Sequence, residues 1–406
     1  MKGIRVNFQD TASYLTRAAW RPVLQGPLAE IWEPQAGDSL RLMVPKVEAA
    51  PDYSAMMKNL TAELARYEGR SPDKVWRDIA RQFLDITKLR AASEDLIDGT
   101  IPLQAGIALV ESAKRLVTAS AASTLMRQGN FGRNMPKRAI SHAKHVRLGH
   151  TIQGSYILPI ITEVRVPDVY SIDEGMDVEP MLDLGVEEAR FDRRVNTTMA
   201  HALTVLKEIS VTRDRSPSIS DVHDAVAEGV SRELCEAVSQ VLTTGQVDSY
   251  DIDFEWAPAV MPPRLLVERV EFPRDAVFVV DEIANTLKRV ERVEEQVIFG
   301  IITNCAAPIG EGSGRVTIQA AIGGRARTVR FDLDWQSFSL ASRFMTERRP
   351  VAVRGVLHMP TGRQATMDVS GFGPDPSTMT LDEALSASDD DFGLRQFPSQ
   401  RDASQG

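Results

Sequence analysis

The sequence predicts an α+β fold: a helix-rich N-terminal and middle region with a mixed sheet, followed by a small β-barrel and a disordered tail. Three observations carry this. Stretches between residues 53 and 290 space their apolar side chains mostly at helical intervals. Alternating apolar and polar runs return at hairpin spacing after residue 291. From Pro374 onward the chain is rich in serine, aspartate and proline, with few residues able to form a core.

In chain order, Ile4–Phe8 alternates like a short strand, a helix is expected over Ala12–Trp20, and a strand over Leu40–Val44. Met56, Met57, Leu60, Leu64, Val75, Ile79 and Phe83 fit two helices broken near Gly69, with Ser71 and Pro72 as cap and first-turn proline of the second. Leu103–Leu125 reads as one long helix of small residues, followed by a glycine-bearing loop and a basic helix to about Leu148. Ser155–Val166 reads as a buried strand made irregular by Pro159. Helices are expected over Glu188–Ile209, Ser220–Leu242 and Arg274–Val290, with strands at Tyr250–Trp256 and Leu265–Phe272 between the last two.

The C-terminal module runs strand (Val293–Thr303), strand (Arg315–Ile322), strand (Arg325–Leu333), helix (Trp335–Thr346), strand (Val351–His358), strand (Gln364–Val369). Gly323 and Gly324 supply a two-residue hairpin turn. Three strands, a helix and two strands is the order of an OB-like Greek-key barrel. Four regions follow: 1–166, an αβ region with the basic helix; 167–290, mainly helical with returning strands; 291–373, the barrel; and 374–406, a flexible acidic tail. Within the tail, Phe392, Leu394 and Phe397 could form a short docking motif.

The net charge of −9 argues against a surface that coats nucleic acid everywhere, so the distribution of charge is the informative quantity. No apolar run approaches the length of a membrane span and Met1–Phe8 lacks a signal-peptide core, so a cytoplasmic protein without a membrane partner is expected. Cys235 and Cys305 have no paired spacing and suit buried fillers in a reducing compartment.

Between Glu111 and Glu163 there is no carboxylate, while Lys114, Arg115, Arg127, Arg133, Lys137, Arg138, Lys144 and Arg147 are present. Arg127, Arg133, Lys137, Arg138, Lys144 and Arg147 are the candidate anion-binding residues. The loop Gln128–Pro136 adds backbone amides that could hold a phosphate or carboxylate. The competing reading pairs these bases with the acidic run Asp168–Glu188. His142 and His145 share a helical face, but the positive surroundings argue against a metal there. On the barrel, Arg327, Arg330 and Arg354 are the candidate face, with Arg325 and Arg363 also basic and Phe331 and Trp335 as aromatics.

Asp251, Asp253 and Glu255 alternate with Ile252, Phe254 and Trp256, which sets three carboxylates on one strand face. They are weak catalytic candidates for a divalent-metal site, against the plainer reading of a solvated strand face. Gly310–Gly314 lacks the lysine and following helix of a phosphate loop. No nucleophile elbow, zinc-protease motif or kinase set occurs, and no cofactor or resident metal is predicted.

Ile31–Pro34, Asp98–Pro102, Arg147–Tyr156 and Val351–Gly355 together resemble a family of uncharacterised bacterial proteins with a C-terminal OB-like module. The resemblance implies a bacterial origin and shared architecture, and brings no activity or catalytic residue. The expected function is non-catalytic binding: nucleic acid or another polyanion at the basic segment, and a protein partner at barrel and tail, while pairing of the basic and acidic runs between subunits would make a homo-oligomer. A metal-dependent enzyme acting on a phosphate-containing substrate, and a structural subunit of a larger assembly, are the alternatives.

Overall fold

The computed structural model describes residues 6–36, 40–93, 100–151, 156–165, 184–213, 215–245, 247–263, 266–288, 295–307, 313–322, 325–359, 365–375 and 395–396. The chain forms two compact units. The first comprises Met1–Asp85, Glu163–Arg165 and Trp256–Val260, and the second Ile86–Thr162, Val166–Glu255 and Met261–Gly406.

In the first unit, α1 (Phe8–Arg17) begins at Asn7, whose side chain accepts the Asp10 N–H at 3.0 Å while the Asp10 carboxylate accepts the Asn7 N–H at 2.8 Å. This reciprocal cap satisfies two amides that a helix start otherwise leaves unpaired, so Phe8 opens a helix and does not close a strand. β1 (Trp20–Gln25), β2 (Ala29–Pro34) and β3 (Leu42–Pro45) form an antiparallel sheet in that order. α2 (Tyr53–Tyr67) and α3 (Pro72–Ala80) follow, broken beside Gly69 and restarted at Ser71 and Pro72 as the sequence predicts. Leu15, Trp20, Trp32, Leu42, Leu64, Val75 and Ile79 make their common core.

The second unit has a helical layer on a five-stranded sheet. Its elements are β4 (Leu84–Ala92, in this unit from Ile86), α4 (Leu103–Leu125), α5 (Lys137–His145), β5 (Arg147–Leu148), β6 (Ile157–Glu163, in this unit to Thr162), α6 (Leu184–Lys207), α7 (Ile219–Ala227), α8 (Arg232–Leu242), β7 (Ser249–Glu255), β8 (Arg269–Pro273) and α9 (Val277–Leu287). The strand order is β5-β6-β4-β7-β8, with β7 antiparallel to both β4 and β8. Tyr250, Ile252 and Phe254 are buried on one face of β7, and the Tyr250 hydroxyl meets Ser112 Oγ of α4 at 2.9 Å. The helix expected over Ser220–Leu242 is two helices. Gly229 sits at φ +103° between them, a conformation that side chains with a Cβ rarely adopt, and the Ser231 hydroxyl then accepts the Leu234 N–H to start α8.

The remaining strands close a five-stranded barrel. They are β9 (Glu295–Ala306), β10 (Ser313–Ile322), β11 (Arg325–Asp334), then α10 (Trp335–Thr346), β12 (Val351–His358) and β13 (Ala365–Pro374). The antiparallel order is β11-β10-β9-β12-β13, and parallel pairing of Val329 with Ala365 and of Arg330 with Thr366 joins its two ends. β14 (Arg395–Gln396) pairs with Gly371 and Phe372 of β13. Ile302, Val316, Ile318, Val329, Phe331, Val351, Val353 and Phe372 fill the interior, each such side chain stabilising by about 1.5–3 kcal/mol. At Gly355 the β12–β13 register shifts and a Cβ would lie 2.0 Å from the Asp368 carbonyl oxygen, so only glycine fits. Ile322 pairs with Arg325, as a two-residue hairpin requires, although Gly323 and Gly324 lie outside the described residues.

The described residues therefore form a mixed α+β structure with ten α-helices, three sheets and one closed barrel toward the C-terminus. None of the described helices is long and apolar enough to cross a membrane. Of the tail expected from Pro374, the described part is the end of β13, Asp375 and β14, and the docking motif Phe392, Leu394 and Phe397 lies outside the described residues.

Candidate polyanion-binding surface

The six basic candidates between Arg127 and Arg147 separate into three environments. Arg127, just past the end of α4, is buried at 2% exposure. Its Nη1 lies so close to Gly229 that a Cβ there would stand 2.5 Å away, and Thr198 and Ala202 of α6 border the same spot. Burial pulls its guanidinium down to about 10, against the opposing pull of Glu228. Arg127 thus belongs to the interior of the helical layer.

Arg138 is half-buried, with its guanidinium 4.0 Å above the Phe191 ring of α6. Its neighbour His142 is buried too, its Nδ1 2.8 Å from Asp192 Oδ1 and its ring edge-on to Phe191 at 5.6 Å. His142 and His145 therefore part company, since His145 is exposed. Ala139, Phe131, Phe191 and Val195 complete the apolar seat of α5.

Arg133, Lys137, Lys144 and Arg147 are exposed, and none forms an ion pair with a described residue. On α5 the exposed side chains Lys137, Ile140, Ser141 and Lys144 fall within about 100° of arc, opposite the buried Ala139 and His142. The acidic run that could neutralise them lies mostly outside the described residues: none of Asp168–Asp183 is described, nor are the side chains of Glu187 and Glu188.

The loop amides expected to receive an anion already hold one. Glu233, in the first turn of α8, accepts the Phe131 N–H at 3.1 Å and the Gly132 N–H at 2.8 Å through Oε1. Arg232 N–H donates to the Gly129 carbonyl at 2.8 Å beside it. The loop is thus tied to α8 by an internal carboxylate.

The barrel arginines do not share a face. Arg354 is buried at 6% exposure, opposite Val297 on the outer side of the barrel wall where Val297, Phe299 and Ala352 cluster. Arg327 and Arg330 are exposed, but Arg327 has the strand parity of the interior residues Val329, Phe331 and Leu333, and Arg330 the opposite parity. Phe331 is a core residue, and Trp335 opens α10 at the far end of β11, stacked 5.4 Å from Phe338. Among the described residues no aromatic platform accompanies Arg327.

Asp251, Asp253 and Glu255 do lie along one face of β7, within a lattice of opposite charges. Arg269 Nη2 of β8 is 2.8 Å from Asp251 Oδ2, Arg90 of β4 is 3.5 Å from it, Arg269 also reaches Asp253 at 3.8 Å, and Lys88 pairs with Glu255. The face is less solvated than alternation implies, because Asp251 is buried, which raises its carboxyl against the lowering effect of Arg269. Among the described residues no group of three or more His, Cys, Asp or Glu is placed to hold a metal. Both cysteines are free thiols, and burial raises each.

Asp192, Phe191 and Glu233, which hold α5 and its loop, were not singled out from sequence; they lie about 50 and 100 residues downstream, where no local pattern links them to α5. The helical spacing of Lys137, Ile140, Ser141 and Lys144 is the signal that could have revealed the exposed stripe. Compared with protein-family models, curated proteins and solved structures, the chain matches none.

Proposed function

We propose that this is a non-catalytic binding protein that holds a polyanion, nucleic acid best fitting the chemistry, on the exposed side of α5. The carrying observation is the group Arg133, Lys137, Lys144 and Arg147, four exposed cations on one short segment with no ion-pair partner among the described residues. A phosphate backbone supplies the missing negative charge and releases counterions on binding. His142 with Asp192 and Arg138 with Phe191 fix the helix beneath Lys137 and Lys144, so these two charges are presented on a stiff element, with Arg133 just before it and Arg147 just after it.

The strand pairing and the position of α10 between β11 and β12 support an OB-like Greek-key reading of the barrel. In this reading the barrel and tail serve protein contacts, because Arg327 and Arg330 do not share a face and have no stacking platform among the described residues. A cytoplasmic, bacterial setting is part of the same proposal. The catalytic alternative requires Asp251, Asp253 and Glu255 to leave Arg269, Arg90 and Lys88 before binding a cation, which makes it the poorer account.

Fluorescence anisotropy of labelled DNA and RNA across a salt series tests the proposal, with Arg133→Glu/Lys137→Glu/Lys144→Glu as the comparison. With four phosphates neutralised on a duplex, log K should fall against log salt with a slope of about −3.6. Binding should vanish in the triple variant. Absence of binding at low salt would overturn the proposal.

A further inference from the structure

We infer that α9 is a docking face for a second copy of this chain, whose cationic α5 face it receives, so that copies associate head to tail through the helical layer. Within that layer α5 packs on α4, α4 on α8 and α8 on α9, which leaves α5 and α9 as the outer members of one row. Their outward faces carry opposite charge. From Asp275 to Leu287 the chain has three carboxylates and no cation. Asp281 and Glu282 of that stretch are exposed and form no ion pair with a described residue.

The two faces are complementary in arrangement as well as in sign. α9 buries Val280, Ile283, Ala284 and Leu287 and turns Phe278, Asp281, Glu282 and Asn285 outward. At about 100° per residue, Phe278 stands near the middle of the outward arc, with Asp281 on one side and Glu282 on the other. On α5 the same spacing sets Lys137 and Lys144 along the middle. A lysine stem laid on the Phe278 ring, which is 78% exposed, carries its ammonium between the two carboxylates, where attraction to the ring adds to the ion pairs.

The occupant that suits α9 is thus a segment with central cations, and the chain itself presents one. Because the two faces belong to different helices the contact is heterologous: each copy offers α5 to one neighbour and α9 to another, which builds rings or open chains. Faces on helices of nine and eleven residues fall below the roughly 1,200 Å² of a standard interface, so the association is reversible and sensitive to salt. It is independent of polyanion binding but uses the same lysines, so an α5 face docked on a neighbour is closed to a polyanion.

Sedimentation velocity of the full chain over a concentration series, at roughly 0.05 M and roughly 0.5 M salt, tests the inference. The parent should associate with rising concentration at the lower salt and stay monomeric at the higher. Asp281→Lys/Glu282→Lys and Lys137→Glu/Lys144→Glu change exposed positions only, and each should raise the concentration needed for association at least about tenfold. An equimolar mixture of the two charge-reversed variants should associate again, because each offers the faces the other lacks. A parent that stays monomeric at low salt, a variant that associates like the parent, or a mixture that stays monomeric would overturn the inference. Nucleic-acid binding by a parent that is monomeric at low salt would overturn it too, while leaving the polyanion reading standing.

Discussion

Arg194 of α6 and Asp375, the residue after β13, form a buried bidentate ion pair. Arg194 Nε donates to Asp375 Oδ1 at 3.1 Å, Nη2 pairs with Oδ2, and the guanidinium lies 3.6 Å over the Phe299 ring of β9. The Asp375 N–H donates to the Pro350 carbonyl at 2.9 Å, so the end of β13 is fastened to the barrel and to the helical layer at once. Removing one partner leaves a buried charge uncompensated. Asp375→Ala should therefore destabilise the fold by about 3–5 kcal/mol, read from the denaturant midpoint. A double-mutant cycle with Arg194→Ala should show strong coupling, and independent effects would refute the pair's role.

Gly229 is the second point where the helical layer depends on one residue. Its φ of +103° and the 2.5 Å separation between an added Cβ and Arg127 Nη1 act in the same direction. Gly229→Ala should lower stability by about 1–3 kcal/mol, with the thermal midpoint falling in proportion. A neutral effect would mean that Arg127 moves away at little cost.

Gly229 also shows what could be read from sequence. The periodicity of Val222, Val226, Leu234, Val238 and Leu242 is helical across the whole stretch, and a glycine inside such a pattern is often tolerated, so its left-handed backbone was not visible. The barrel strands were legible because Val316, Ile318 and Ala320, and then Val329, Phe331 and Leu333, alternate cleanly toward one interior. β1 was missed because Pro22 and a register shift between Pro22 and Leu24 interrupt its alternation. β4 was missed because Lys88 and Arg90 look like a solvent face, and their partners Asp251, Asp253 and Glu255 appear some 160 residues later. The basic character of the α5 segment was plain from its lack of carboxylates. The burial of Arg127 and Arg354 was not, since arginine is normally a surface residue and tertiary packing alone decides the exceptions.

The carboxylate of Glu233 occupies the place an external anion would take at the Phe131 and Gly132 amides. Glu233→Ala should cost about 1–3 kcal/mol through the two amides left unpaired, and Glu233→Gln, which keeps an acceptor, should cost less. The vacated amides form an anion-accepting concavity. Added inorganic phosphate should accordingly raise the thermal midpoint of Glu233→Ala more than that of the parent chain, and equal shifts would show that the loop does not hold its shape without the carboxylate.

At the start of α7 the Asp221 carboxylate accepts the Ser218 hydroxyl at 2.6 Å and the Ser218 N–H at 2.7 Å, with Arg215 2.8 Å away. The Ser218 side-chain hydrogen bond is the foremost cause holding the Asp221 carboxyl well below its ordinary 3.8, with the Ser218 N–H and Arg215 acting in the same direction. A carboxyl lowered by folding stabilises the native state when ionised, so its contribution is present above the unfolded value and is lost as pH falls through the folded one. Ser218→Ala removes the foremost cause and also the N-cap acceptor of the Asp221 N–H. NMR titration of the Asp221 carboxyl should then show it ionising at higher pH than in the parent. The stability gap between parent and variant should be widest above about pH 4 and should shrink on acidification, leaving only the part owed to the lost cap. A gap that stays constant down through the acid range would show that Ser218 acts on the helix cap alone and not on the charge of Asp221.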